Sequence, residues 1–121
     1  MNIYSLLIIY LLFFQPQQNS CANFYQGKFA YENKKELKIY RTLNEQIEFI
    51  GDSIATTFSI KWVNNCNYIL IPKKVIYEMK IYDLPKDTIF VYITEILSDS
   101  SYRYKAVVNN SETIDTIYKV P

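Results

Sequence analysis

The ten residues IATTFSIKWV, 54–63, constrain the fold of this chain more than any other stretch. Ile54, Thr56, Phe58, Ile60 and Trp62 fall on one side, and Ala55, Thr57, Ser59, Lys61 and Val63 on the other. A period of two held over ten residues marks a half-buried strand and disagrees with a helix, whose apolar residues recur every three or four. Asn64-Asn65 follows, a pair that tolerates positive φ and suits a tight primed turn. Then CNYILIP, 66–72, carries Cys66, Tyr68 and Leu70 on one face. Together these segments predict a β-hairpin.

The same rhythm runs through the remainder. Strands are expected at GKFAYE (27–32), ELKIYRT (36–42), EQIEFI (45–50), DTIFVYITEIL (87–97), SYRYKAVV (101–108) and ETIDTIYKV (112–120). KVIYEMKIYD (74–83) fits a ninth strand or a helical turn. DTIFVYITEIL is apolar on both faces, which suggests a central position. Eight or nine strands at such spacing predict an all-β antiparallel meander, closed into a barrel or folded as a sandwich. With 121 residues and no linker, there is room for one domain. Gly27, before the first strand, and Gly51, in a turn, read as backbone devices.

Residues 3–14, IYSLLIIYLLFF, form an uncharged apolar run. At about 1.5 Å per residue it is too short to span a ~30 Å hydrocarbon layer, and it matches the core of a signal peptide. QPQQNS is abruptly polar, and Pro16 ends any helix. We expect a leader over 1–22, cleaved near 20–22, and a single β domain over 23–121, exported to the periplasm or cell envelope. The leader lacks a basic residue ahead of its apolar run.

Three fates compete for Cys21. Ser20-Cys21-Ala22 suits a general signal peptidase, which would discard it. Asn19-Ser20-Cys21 also suits a lipoprotein box, with Gln18 where an apolar residue is usual. Acyl chains on Cys21 would attach the protein to a membrane, each buried CH₂ contributing ~0.8 kcal/mol. Finally, Cys21 could pair with Cys66 in an oxidising compartment. Thioether and disulfide need the same sulfur, so they exclude each other.

Chemistry has few residues to work with. The chain contains no His, so the commonest general base and metal ligand near neutral pH is missing. Two distant cysteines do not make a zinc site. Glu45 and Glu48, three apart on a strand, point to opposite faces and read as solvated charges. We expect no catalytic residues, no metal and no cofactor. All 13 basic and 12 acidic residues lie beyond residue 27, so the domain is nearly neutral and lacks the field that holds nucleic acid. Arg41, Lys61 and Arg103 alternate with aromatics and read as snorkelling charges. Asn109-Asn110-Ser111 reads as a loop. With twelve Tyr and seven Phe, the chain can cover apolar surface while its hydroxyls stay wet. Trp62, Phe58 and Phe29 are the candidate lining of an apolar-ligand pocket in a barrel of calycin type, Gly27-Lys28-Phe29 being loosely similar to the opening of such barrels. The plainer reading, which we prefer, is that all three fill the core.

Cys21-x-x-Phe24-x-x-Gly27-x-Phe29, Arg41-Thr42, Gln46-Ile47-Glu48 and Ile60-x-Trp62-x-x-x-Cys66-x-Tyr68-x-Leu70 form an ordered series. Over about 21–108 it resembles a family of small exported proteins of Bacteroidetes and flavobacteria, of unknown function and often labelled "DNA topoisomerase IV". That label does not transfer: no phosphate-cradling glycine loop, acidic metal cluster or basic surface is visible here. The resemblance implies that Cys21 is a pairing cysteine matched to Cys66. The expected role is non-enzymatic binding or scaffolding toward an envelope protein, with a small apolar ligand as the alternative partner.

Overall fold

The computed structural model describes residues 20–75 and 87–121. A 3-10 turn, Cys21–Phe24, leads into eight strands: β1 Gly27–Tyr31, β2 Leu37–Arg41, β3 Glu45–Ile50, β4 Ser53–Trp62, β5 Asn67–Val75, β6 Ile89–Ser98, β7 Ser101–Val108 and β8 Ser111–Lys119. They form a closed antiparallel meander in which β8 returns to pair with β1. The sheet therefore closes as a barrel rather than splitting into a sandwich. The expected leader through residue 19, and residues 76–83 of the expected ninth strand, lie outside the described residues; Lys74 and Val75 belong to β5.

Successive strands reverse direction, so their connections alternate between the two ends. The β2–β3, β4–β5 and β6–β7 turns lie at one end, called lower here, with the 3-10 turn that precedes β1. The β1–β2, β3–β4 and β7–β8 turns lie at the upper end. Ser20 caps the 3-10 turn by accepting a hydrogen bond from the Ala22 amide at 3.1 Å. Gly27 enters β1 at φ +134°, a conformation open to glycine but strained for other residues. This sharp entry brings the buried Cys21 and Phe24 against Phe29, Ile39, Phe58, Tyr68 and Tyr102 in the core. Full burial of a side chain such as Phe24 contributes about 1.5–3 kcal/mol.

The period of two holds along β4 with one slip. Thr56, Phe58 and Ile60 face inward, but Ile54 is exposed and Ala55 buried. Glu48 pairs with Thr56 while Phe49 pairs with Ile54, so Ala55 is an extra residue that inverts the phase. The β4–β5 connection also differs from a tight primed turn. Among the described non-glycine residues only Asn109 has positive φ. Asn64 instead accepts the amides of Cys66 and Asn67 on its side-chain oxygen, at 3.0 and 2.9 Å, and makes a wider Asx-type loop. Asn109 does sit in the two-residue β7–β8 loop, as its sequence suggested.

β6 is not buried on both faces. Ile89 and Val91 face the core, whereas Phe90 and Tyr92 are 44% and 40% exposed. A closed ring has no central strand, so the second apolar face lies outside. It continues across the barrel: Phe90 is in register with Ile69 on β5 and Val107 on β7, and Lys105 beside Tyr92 pairs with Ile114, 64% exposed.

Candidate functional site

The interior carries a polar ladder along the barrel axis. Arg41, at the lower end of β2, is only 1% exposed. Its Nε donates to Gln46 Oε1 at 2.9 Å, Nη1 to the Phe24 carbonyl at 2.8 Å and to Tyr102 Oη at 3.2 Å, and Nη2 to Tyr68 Oη at 3.3 Å. The two tyrosine hydroxyls bond each other at 2.9 Å. The guanidinium carbon lies 4.6 Å from the centre of the Phe29 ring and 4.9 Å from that of Tyr68. Burial alone would pull the Arg41 pKa down; the Tyr102 and Tyr68 hydroxyls outweigh it, and the net shift is upward. Arg41 is thus a buried cation whose donors are used in holding the 3-10 turn and three strands, not a snorkelling surface charge. Lys61 and Arg103 do point outward, and Arg103 pairs with Glu95 at 2.9 Å.

Below Arg41 the barrel is stapled. Cys21 and Cys66 form a disulfide with Cα atoms 5.3 Å apart. In this disulfide-bonded form the Cys21 sulfur has no valence left for a lipid thioether. Tyr25 and Tyr68 pack on Trp62 with ring centres 4.2 and 4.6 Å away, and the Trp62 Nε1 is buried without a partner. Phe29 and Phe58 are fully buried. The three residues considered for a pocket are therefore packed among other side chains at this end.

Above Arg41 the ladder turns acidic. Gln46 Nε2 donates to Glu48 Oε2 at 3.3 Å, and the Tyr31 hydroxyl donates to both Glu48 oxygens at 3.2 and 3.3 Å. Glu48 thus faces inward, contrary to the solvated reading, while Glu45 behaves as expected and meets Lys73 at the surface at 3.1 Å. Burial raises the Glu48 pKa; bonds from Gln46 and Tyr31, with Arg41 and Lys34 acting through space, only partly oppose this. Asp115, in register with Tyr104, accepts Asn33 Nδ2 at 2.8 Å and the Thr116 amide at 2.7 Å, both on Oδ1. Tyr104, raised first by burial and then by Asp115, also feels Glu48. Sequence alternation could have placed Glu48 inside from its phase with Gln46, but not beside Tyr31 of β1 and Tyr104 of β7.

On the outer face, Lys28, Lys38, Tyr40, Phe49 and Val120 border a groove of about 310 Å³ whose lining also includes Ile39 and Phe29, one of the three pocket candidates. Among the described residues no group of three or more His, Cys, Asp or Glu side chains is placed to hold a metal, and no helix is long and apolar enough to cross a membrane. No protein-family model, curated protein or solved structure matches this chain.

Proposed function

We propose that this chain is an exported, non-enzymatic barrel of the cell envelope that acts by binding a protein partner through its outer surface. The observation that carries this reading is the outer face of β5, β6 and β8, where Ile71, Phe90, Tyr92 and Ile114 stand exposed. Large apolar side chains left exposed on neighbouring strands, here with Lys105 set between Tyr92 and Ile114, mark a candidate interaction surface. The Cys21–Cys66 bond supports an oxidising compartment, consistent with the apolar leader and with the resemblance to exported proteins.

Intact mass of protein recovered from its native envelope tests the export half. The expected species begins at or before Cys21 and gains two hydrogens on reduction; acyl mass on Cys21, or a chain that starts after it, would refute the disulfide-bearing form. For the surface half, Phe90→Ser with Ile114→Ser should leave stability within about 0.5 kcal/mol, as for exposed sites, yet abolish co-fractionation with envelope complexes. Unchanged co-fractionation would refute it.

A second reading, a small-ligand carrier, draws support from the upper half of the interior, which is polar and where Glu48 and Tyr31 are only partly buried. It would change the expected cargo from an apolar molecule to one with a polar head.

A further inference from the structure

We propose that the upper end of the barrel binds a primary ammonium group, held between Glu48 and Asp115 against the rings of Tyr31 and Tyr104. This rests on the carrier reading and names its ligand class.

Two carboxylates enter this part of the interior from strands three apart around the ring, Glu48 on β3 and Asp115 on β8. Neither has a cationic nitrogen within 4 Å among the described residues, whose ion pairs all lie on the outside. The nearest buried cation, Arg41, already gives its donors to Gln46, Phe24, Tyr68 and Tyr102. A partly desolvated carboxylate without a counter-charge is costly, and such groups concentrate where a ligand completes them.

A second, independent observation lies beside Glu48. Thr56 is its register partner across β3–β4 and is 1% exposed, yet its hydroxyl oxygen has no hydrogen-bond partner. An orphaned hydroxyl on the inner face, next to a carboxylate with no ion-pair partner among the described residues, matches the donors of an ammonium nitrogen. Asp115 Oδ2 likewise accepts no bond among the described residues, since both of its contacts use Oδ1. The Tyr31 and Tyr104 rings, with centres 6.2 Å apart and tilted by 59°, add π-faces that attract a cation. An alcohol would satisfy Thr56 but not the charge. A carboxylate would meet two of its own kind.

The test is an amide-shift titration of the ¹⁵N-labelled, disulfide-bonded full chain at neutral pH with n-butylammonium, n-butanol and butyrate in parallel. The expected result is that butylammonium shifts Tyr31, Glu48, Thr56, Tyr104 and Asp115 with at least about tenfold higher affinity than butanol, the scale of one charge-assisted bond. Butyrate should leave these residues unmoved. Glu48→Gln should weaken butylammonium about tenfold, and Thr56→Val, which conserves volume, should weaken it severalfold. If Glu48→Gln does not fold, the three-probe comparison and Thr56→Val decide. Equal binding of butanol, or preference for butyrate, at these residues would overturn the ammonium class and leave the carrier reading standing. If no probe shifts them, both fall.

Discussion

Removing the Arg41 guanidinium would strip partners from Gln46, Tyr68, Tyr102 and the Phe24 carbonyl together. Breaking a buried charge network on one side typically costs about 3–5 kcal/mol. Arg41→Ala should lower the unfolding free energy by that order in urea titrations followed by Trp62 emission. Arg41→Met, which refills the volume, should recover only part, because the polar partners remain. A loss under 1 kcal/mol for the alanine variant would mean that water replaces the guanidinium. The alternation of charge and aromatic residues around Arg41 was visible in the sequence, but its direction was not, since its partners Tyr68 and Tyr102 stand 27 and 61 positions away. Glu48 makes a pH prediction. Its folded pKa is raised, chiefly by burial, so the folded state binds more protons than the unfolded chain above the ordinary value of about 4.3. Its contribution is therefore full below that value and declines as pH rises through the folded pKa. Tyr31, Gln46, Arg41 and Lys34 act on it, and Tyr104 links it to Asp115, which must be allowed for in any profile. Unfolding measured across this window should show a downward slope that Glu48→Gln removes; an unchanged slope would assign the proton elsewhere.

Among the elements, the 3-10 turn has least local reason to exist: four residues with a Ser20 side-chain cap and one backbone bond from the Tyr25 amide to the Ala22 carbonyl. Tertiary attachments hold it, namely the disulfide to Cys66 and the Arg41 bond to Phe24. A link across 45 positions restricts the unfolded chain by about 4 kcal/mol in the entropy model. Replacing both cysteines by serine should lower stability by about 2–5 kcal/mol, and brighten or shift Trp62 emission as the turn loosens over the Trp62–Tyr25 stack. Denaturant titration with fluorescence checks both, and a variant as stable as the parent would show that packing alone seats the turn. Strand identities were legible because the inward phase is carried by large residues such as Phe58, Ile60, Tyr68 and Leu70. The Ala55 slip was not, since one inserted residue leaves no mark in a pattern where Ile54 and Thr56 are both acceptable inward. Asn64-Asn65 misled for a related reason: asparagine serves a positive-φ turn and a side-chain-capped loop equally well.

At the scale of the molecule, meander order followed from short connections, and closure followed from nothing local. β1 meets β8 through Phe29–Lys119, Ala30–Tyr118 and Tyr31–Ile117, pairs that span most of the domain. The outward apolar residues of β6 suggested a buried strand because sequence alone does not distinguish a second core face from a surface reserved for something else. The upper half of the polar ladder was hidden for the same reason, its carboxylates arriving from β3 and β8. Closure also limits how this molecule can meet others. Every ribbon has a companion on each side over part of its length, so a visitor can enrol through main-chain pairing only where one strand outruns its neighbour, as β6 does beyond Ile93. Elsewhere recognition is written in side chains, where a single exchanged residue can rewrite it without disturbing the ring beneath.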